Sequence, residues 1–289
     1  MEKASRVDLL VEAIHCLSKF RNKTIVVKLG GSAMDLDTPF LACLQDLLLL
    51  QRAGLKVILV HGGGKAIDQA MVKSGLQPKK IAGRRFTDDA TLKIVAEVLL
   101  NETNSGIVKR IGDLGGKAAP LHSGSLQALW GSKWRLDSEV GQVDLGHVGQ
   151  IDRVDCQVIQ QSLLAGEIPV IPSLAEKPEG GLLNVNADTC ACAVASAMKA
   201  SSLVFLSDTP GILRDRNNPS SLISQLNEKD CQDLIASKVI DTGMIPKVES
   251  CLESLKNGVG SARMIDGRAN HSLLLEFTQN QSTGTVITL

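Results

Sequence analysis

The sequence predicts an α/β protein, and two apolar runs that each end in glycines are the main reason. Thr24–Val27 is followed by Lys28–Ser32 (KLGGS), and Val57–Val60 is followed by His61–Gly64 (HGGG). Short runs rich in β-branched residues between polar flanks are typical of buried strands. A helical segment follows each glycine cluster, so the same strand–loop–helix unit occurs twice.

The two glycine loops are predicted to bind anionic ligands. Glycine lets backbone N–H groups approach an anion closely, and the following helix presents its positive N-terminus to the same spot. Lys28 adds a positive charge at the end of the first strand. Two such loops suit a polyphosphate and a second substrate. The alternative, which this pattern alone leaves open, is that both loops are only tight strand–helix turns.

The composition excludes several function classes. The chain has 289 residues, 44% of them hydrophobic, which permits one large α/β domain or two lobes. Its 31 basic and 31 acidic residues balance, and it has five Phe, two Trp and no Tyr. Neither broad attachment to nucleic acid or a membrane surface nor base stacking is therefore expected. With no apolar stretch near about 18 residues, no signal peptide and no membrane span are expected either.

The cysteines point away from zinc and from a disulfide framework. There are seven of them, and none forms a Cys-x-x-Cys pair. Cys190 and Cys192 lie in an alanine-rich segment and are predicted to be small buried residues of a reduced, cytoplasmic protein. No metal site is predicted.

The remaining elements follow from periodicity and from turn residues. Residues 7–20 are predicted to form an amphipathic helix that packs on its own domain or docks another subunit. The division predicted is an N-terminal helix (1–22), a substrate-binding lobe (23–176) and an ATP-binding lobe (177–289), with the boundary at 176–181. Further helices are predicted over 40–50, 65–73, 89–111, 155–164, 188–199 and 246–257, strands over 168–172, 203–206, 264–267 and 286–288, and a β-hairpin region around 144–149.

Three charged residues outside the glycine loops are candidates for function. Arg85 precedes a Thr-Asp helix start, where its planar fork could bind a substrate carboxylate. Asp188 opens a helix and could be either catalytic or a simple N-cap. Lys247 follows Pro246 in the first turn of a helix, where it opposes the helix dipole and so indicates a nearby anion.

Taken together, the motifs resemble the amino acid kinase superfamily, and within it the kinases of N-acetyl-L-glutamate in arginine biosynthesis. The resemblance runs over nearly the whole chain. Its most specific stretches are Lys28–Met34, His61–Gly64, Gly83–Asp88, Asp144–Gly149, Asn184–Asp188, Leu206–Leu213, Gly243–Lys247, Ile265–Arg268 and His271–Glu276.

The resemblance implies a three-layer αβα sandwich with a mostly parallel central sheet. ATP would phosphorylate the γ-carboxylate of N-acetyl-L-glutamate, with the substrate in the N-terminal lobe and the nucleotide in the C-terminal lobe. The acceptor carboxylate is already ionised at neutral pH, so no general base is needed, and neutralising the transferring phosphoryl group is the main task. Mg²⁺ would accompany ATP through phosphate oxygens and water.

The resemblance also implies roles for individual residues. Lys28 and Lys247 would contact the transferring phosphoryl group, with Asp188 orienting both ammonium groups. The predicted substrate-binding residues are Gly63, Gly64, Lys80, Arg85 and Asn184. The predicted ATP-binding residues are Gly30, Gly31, Asp208, Thr209, Gly211 and Leu213.

Two further implications concern assembly and regulation. The helix at 7–20 resembles the extra N-terminal helix of arginine-inhibited hexameric members, so a homodimer is expected and a hexamer is possible. Glu276 and Gly284 fit an arginine site. Cys16 stands where tyrosine is usual, however, Ser282 replaces an expected glycine, and Leu121–Ser125 replaces a Lys-Asp-Gly type of segment.

Two competing functions remain open from the sequence. The first is a kinase for a related acyl-amino acid, N-succinylglutamate or conjugated aminoadipate, because such a change of substrate is worth only about 1–3 kcal/mol. The second is an inactive paralogue that senses arginine or nucleotide. Such a protein would be expected to lose a charged catalytic residue, whereas Lys28, Asp188 and Lys247 are all present.

Overall fold

The structure, a computed structural model, describes residues 3–34, 36–81, 83–138, 141–241 and 243–289. Its strands, in chain order, are β1 Thr24–Leu29, β2 Lys56–His61, β3 Lys80–Ile81, β4 Arg84–Arg85, β5 Ala118–Pro120, β6 Leu129–Lys133, β7 Leu136–Ser138, β8 Gly141–Val143, β9 Val148–Val154, β10 Ile168–Pro172, β11 Leu174–Glu176, β12 Leu182–Val185, β13 Ser202–Ser207, β14 Gln225–Leu226, β15 Ala262–Asp266 and β16 Thr285–Ile287.

The helices alternate with these strands. In chain order they are α1 Lys3–Ser18, α2 Gly31–Met34, α3 Asp37–Arg52, α4 Gly64–Lys73, α5 Asp89–Ala96, a π-helix Glu97–Asn104, α6 Ser105–Asp113, α7 Cys156–Leu164, α8 Ala187–Ala197, a 3₁₀ turn Pro219–Ser221, α9 Glu228–Ala236, α10 Ile245–Lys256 and α11 Ser272–Thr278. The predicted α/β class with a mostly parallel sheet is confirmed.

The chain divides into two compact units, residues 1–58 with 198–289 and residues 59–197. In the first unit the strands lie in the order β14-β16-β15-β13-β1, and β1 and β15 both pair with β13 in parallel. The apolar side chains of β1 and β13 are buried on both faces, as expected for central parallel strands. Because parallel strands end at the same edge, the segments after β1, β13 and β15 emerge together.

In the second unit the last residues of β2 pair in parallel with β10, and β10 pairs in parallel with β5. Strands β6, β9, β11 and β12 close into a small barrel. The predicted lobe boundary at 176–181 consists of the last residue of β11 and the turn that joins it to the antiparallel strand β12. The compact units therefore divide at 58/59 and 197/198, while the predicted division into substrate and ATP lobes remains a prediction about ligands.

Two helices differ from expectation in instructive ways. The helix predicted over 89–111 is continuous from Asp89 to Asp113, but its middle third is a π-helix. Helix α1 contacts α11 with one face and exposes four large apolar side chains on the other, Val7, Leu10, Val11 and Ile14, while Leu9 is exposed outside this group. Among the described residues, no helix combines the length and the apolarity that crossing a bilayer requires.

Candidate functional site

The first glycine loop brings a lysine over the backbone of the first unit. Lys28 is half-buried near the end of β1, and its Nζ lies 3.2 Å from the position that a Cβ on Gly30 would take. The same Cβ would lie 3.1 Å from the carbonyl oxygen of Leu206. Glycine at position 30 therefore leaves room for the ammonium group. Gly31 begins α2.

The second predicted lysine lies over the same strand pair. Lys28 is the register partner of Phe205 in β13, so the two side chains project from the same face of the sheet. The Nζ of Lys247 lies 5.8 Å from the centroid of the Phe205 ring. Lys247 stands in the first turn of α10, directly after Pro246, as predicted. The structure thus brings both lysines to one face of the first unit, and Phe205 is a neighbour that the sequence did not reveal.

The predicted nucleotide-binding turn follows β13. Gly211 has φ of 144°, and a Cβ there would lie 2.6 Å from the Oγ1 of Thr285, so only glycine fits. That hydroxyl accepts a hydrogen bond from the Ile212 N–H at 2.8 Å and fixes the turn. The Oγ1 of Thr209 is buried and has no hydrogen-bond partner among the described residues. A buried hydroxyl of this kind is suited to a ligand.

An acidic and basic cluster surrounds this turn. Arg268 donates to both carboxylate oxygens of Asp266, at 2.9 and 2.8 Å, just after β15. Hydrogen bonding from Arg268 lowers the pKa of Asp266, and Asp266 and, more weakly, the exposed Asp208 raise the pKa of Arg268. Leu213, the last predicted residue of the turn, forms an antiparallel bridge with Leu222. Arg268 belongs to a motif of the family resemblance, but the sequence indicated no role for this residue.

Asp188 does not cap its helix. The side chain of Asn186 accepts from the N–H groups of Asp188 and Thr189, at 2.9 and 3.0 Å, at the start of α8. The capping interpretation of Asp188 is therefore wrong, and the half-buried carboxylate needs another explanation.

The second glycine loop is packed tightly within the second unit. A Cβ on Gly62 would lie 3.0 Å from the Cβ of Ala187, and one on Gly63 would lie 2.8 Å from the Cδ2 of Leu99. Gly64 has open space and begins α4. These distances explain glycine at positions 62 and 63 by close approach rather than by an unusual φ.

The predicted substrate residues Arg85 and Asn184 meet through Thr87. Asn184 donates from Nδ2 to the Oγ1 of Thr87 at 3.0 Å, and that hydroxyl donates to the carbonyl of Arg85 at 2.8 Å. The Arg85 side chain is mostly buried, forms an ion pair with Asp68 and donates to the carbonyl of Gly64 at 3.0 Å. Its guanidinium is thus held in place by α4. Thr87 and Asp68 are functional candidates that the sequence did not indicate.

Lys80 lies apart from this buried network. It is the antiparallel partner of Arg85 in the β3–β4 hairpin, and its side chain is exposed. It can contribute charge at the surface, but it is not positioned by packing.

The predicted arginine-site residue Glu276 is already paired inside the first unit. Its carboxylate is buried and accepts from Arg263 Nη1 at 2.6 Å, from the Ser282 hydroxyl at 2.9 Å and from the Thr283 N–H at 2.9 Å. Ser282, the departure noted in the sequence, is therefore one of its donors. A Cβ on Gly284 would lie 2.0 Å from the carbonyl of Met264, so packing alone requires glycine there.

A cavity of about 540 Å³ lies beside this pair. Its lining combines α1, the turn after it and the C-terminal segment, and it includes Cys16, Lys19, Gln225, Arg263, Glu276 and Asn280. Asn280 ties α1 to this segment, since it donates to Glu12 at 2.8 Å and accepts from Lys19 at 3.4 Å.

Comparison with known proteins identifies the family. The model of the amino acid kinase family matches residues 23–266. The chain belongs to the amino acid kinase family. It is 40% identical to an acetylglutamate kinase of Methanosphaera stadtmanae, over 97% of this chain and 96% of that one. It is 41% identical to an acetylglutamate kinase of Pelotomaculum thermopropionicum, over 99% and 98% of the two chains.

A solved structure is similar over nearly the full chain. The N-acetylglutamate synthase of Neisseria gonorrhoeae, complexed with coenzyme A and N-acetyl-glutamate, has a TM-score of 0.83 and 25% identity. The match covers 98% of this chain and 63% of the synthase. This chain therefore matches somewhat less than two thirds of a longer protein.

Proposed function

We propose that this chain transfers the γ-phosphoryl group of ATP to the γ-carboxylate of N-acetyl-L-glutamate, a step of arginine biosynthesis. The observation that supports this most directly is the placement of Lys28 and Lys247 at Phe205. Two acetylglutamate kinases about 40% identical over nearly their whole length point to the same substrate.

The chemistry requires charge neutralisation rather than proton abstraction. A glutamate-type carboxylate has a pKa of about 4.3, so the nucleophile is already ionised at neutral pH and needs no general base. As the phosphoryl group transfers, negative charge spreads over its oxygens, and positioned ammonium groups stabilise that charge. Lys28 and Lys247 take this role in the proposal, and Asp188 is the third catalytic residue.

The nucleotide is proposed to bind at Gly30, Gly31 and the turn formed by Asp208, Thr209, Gly211 and Leu213. The buried Thr209 hydroxyl and the constrained Gly211 support this assignment. Among the described residues no group of three or more His, Cys, Asp or Glu is arranged to hold a metal ion. Mg²⁺ is proposed as part of the nucleotide substrate, bound through its phosphate oxygens and water.

The acyl-amino acid is proposed to bind residues of the second unit. Arg85 and Asn184 would hold its α-carboxylate and acetamido group, and Gly63 and Gly64 would donate backbone N–H groups to the substrate and to the transferring phosphoryl group. Lys80 would add charge at the surface. The hydrogen-bond chain through Thr87 supports a common role for Arg85 and Asn184.

An assay of ADP production across a panel of γ-carboxylate substrates tests the function. We expect N-acetyl-L-glutamate to give the highest kcat/KM among N-acetylglutamate, N-succinylglutamate and a conjugated aminoadipate. A higher value for either of the other two would replace the substrate assignment and keep the kinase. ADP production from none of them would favour a nucleotide- or arginine-sensing paralogue.

The apolar face of α1 supports oligomerisation. Val7, Leu10, Val11 and Ile14 recur at helical spacing and are each about 60% exposed. Contiguous exposed apolar surface of this kind marks interaction sites, so we propose a homodimer and, through α1, a hexamer. Light scattering tests this: Val11→Asp should reduce the assembly, whereas Leu164→Asp, at an 85% exposed leucine elsewhere, should not. A stable dimer in the parent chain would rule out the hexamer.

We also propose feedback inhibition by L-arginine at Glu276 and Gly284, in competition with a residue of the chain itself. Arg263 already pairs with Glu276, so an external guanidinium has to displace it. We therefore expect weak inhibition in the parent chain and stronger inhibition in Arg263→Gln. A flat titration of both proteins up to millimolar L-arginine would contradict the proposal.

The burial of the cysteines supports a reducing, cytoplasmic location, which we propose for the same enzyme. Six of the seven cysteines are buried, as expected for small apolar residues of a protein kept in a reducing compartment.

A further inference from the structure

A buried polar chain stands behind the second glycine loop, and the proposed mechanism makes no use of it. His61, the last residue of β2, is fully buried. Its Nε2 lies 3.0 Å from the Nδ2 of Asn104, and its Nδ1 lies 3.2 Å from the carbonyl oxygen of Gly62. The same Nδ2 of Asn104 donates to the carbonyl of Val170 at 3.1 Å.

This arrangement fixes the tautomer of the imidazole. Because the Val170 carbonyl can only accept, the Asn104 atom facing it must be the amide nitrogen, which can only donate. The His61 Nε2 is then the acceptor, so the ring proton lies on Nδ1 and is donated to Gly62. Burial lowers the pKa of His61 to about 4, which keeps the ring neutral near neutral pH.

The hydrogen bond to Gly62 sets the direction of the next N–H group. In a trans peptide the C=O and the following N–H point in opposite directions. With the Gly62 carbonyl bonded to His61, the Gly63 N–H points away from the imidazole. The packing limits rotation of this peptide, since Leu99 and Thr103 lie 2.8 and 3.6 Å from a Cβ position on Gly63.

The π-helix explains how these contacts come together. Leu99, Thr103 and Asn104 all belong to the π-helical stretch Glu97–Asn104, which wraps the loop from one side. π-helical turns within α-helices are frequent at functional sites. The Oδ1 of Asn104 is buried without a hydrogen-bond partner among the described residues, which destabilises the fold. The amide nitrogen of the same side chain, by contrast, makes both of the hydrogen bonds given above.

We propose that His61 and Asn104 are positioning residues, whose hydrogen-bond chain aims the Gly63 N–H at the anion handled by the loop. The inference rests on the proposed function, in which Gly63 donates to the substrate and to the transferring phosphoryl group. Neither side chain touches the reacting atoms. Their effect passes entirely through the Gly62–Gly63 peptide.

A matched pair of substitutions separates positioning from volume filling. In His61→Asn the amide nitrogen can occupy the place of Nδ1 and still donate to Gly62. In His61→Gln the amide reaches the place of Nε2, and the donor to Gly62 is lost. We expect kcat to fall less than about threefold in the first and roughly 10- to 100-fold in the second, with KM for N-acetyl-L-glutamate little changed.

The alternative, a purely structural histidine, predicts the opposite order. Glutamine is closer to histidine in volume, so a packing role would make His61→Gln the milder change. Equal kcat values for the two folded variants, or a larger loss in His61→Asn, would overturn the proposal. Thermal unfolding of both proteins confirms that folded enzymes are compared.

A second readout does not depend on turnover. Nitrogen-15 NMR of histidine-labelled parent protein should show His61 as the neutral Nδ1–H tautomer, and Asn104→Leu should lose that fixed pattern. An Nε2–H signal in the parent protein would sink the proposal whatever the activity. Absence of turnover with N-acetyl-L-glutamate in the parent chain, with the Nδ1–H signal present, would instead count against the proposed substrate.

Discussion

The two glycine loops have different surroundings. Gly30, which follows β1, lies beside the Lys28 ammonium group, whereas Gly62 and Gly63, which follow β2, pack against apolar side chains and a neutral imidazole. In the first loop glycine leaves room for a charged side chain. In the second it lets helices approach the backbone closely, which limits rotation of the peptide. Glycine thus has a different role in each loop, and substitutions in the two loops should reduce activity for different reasons.

The largest effect is expected where charge is removed from the first unit. Lys28→Ala and Lys247→Ala should each fold and bind ATP, yet lose roughly 100- to 1000-fold in kcat, as when an oxyanion donor is removed. Lys229→Ala is the matched control, because Lys229 is an exposed lysine in the first turn of α9. ADP release under saturating substrates measures kcat. Turnover near that of the parent protein in either lysine variant would refute the catalytic assignment.

A single added methyl group should displace the second glycine loop. In Gly63→Ala the new Cβ would lie 2.8 Å from Leu99, and we expect roughly a tenfold loss of kcat as the loop shifts. The double variant Gly63→Ala with Leu99→Ala should recover part of that loss, since the clash is with one side chain. Gly106→Ala, in α6 with open space around it, is the control and should not lower kcat.

Gly30→Ala should behave differently and so sharpens the comparison. Its Cβ would meet the backbone oxygen of Leu206 at 3.1 Å and the Lys28 Nζ at 3.2 Å. Because the ammonium group must move, truncating an apolar neighbour should not restore activity. Recovery of activity by such a truncation would mean that the loss in Gly30→Ala, like that in Gly63→Ala, comes from a clash with an apolar side chain.

A third difference between the loops is a pH dependence of stability that arises from the neutral imidazole. The pKa of His61 falls from about 6.5 in the unfolded chain to about 4 in the folded one, because the ring is desolvated. Below pH 6.5 the unfolded state binds the extra proton first, so stability should be lost as the pH falls towards 4. Between pH 7 and pH 5 the loss should be about 2 kcal/mol.

Urea unfolding at the two pH values measures this loss, and His61→Asn should remove most of it. An equally steep acid dependence in His61→Asn would assign the effect to other groups.

The sequence predicted the elements well because apolar periodicity and turn residues are local signals. The two strand–glycine units and Pro246 in the first turn of α10 are examples. It could not predict that Phe205 is the register partner of Lys28 and also lies beside Lys247, because both relations join segments far apart in the sequence. Nor could it choose between Asp188 and Asn186 as the helix cap, since both residue types cap well and only the backbone geometry decides.

The smallest effect is expected at Lys80, which lies beside a buried substrate residue without sharing its packing. Exposed charges interact weakly with their surroundings, by about 0–1 kcal/mol, and salt screens them. Lys80→Ala should therefore raise KM for N-acetyl-L-glutamate by no more than about fivefold, and less at high salt, while leaving kcat unchanged. Lys79→Ala is the control, because that neighbouring lysine is exposed and lies over the Phe86 ring. A loss of kcat in Lys80→Ala that persists at high salt would show that Lys80 moves into direct contact with the reacting groups, and the substrate side of the site would then also depend on a side-chain charge.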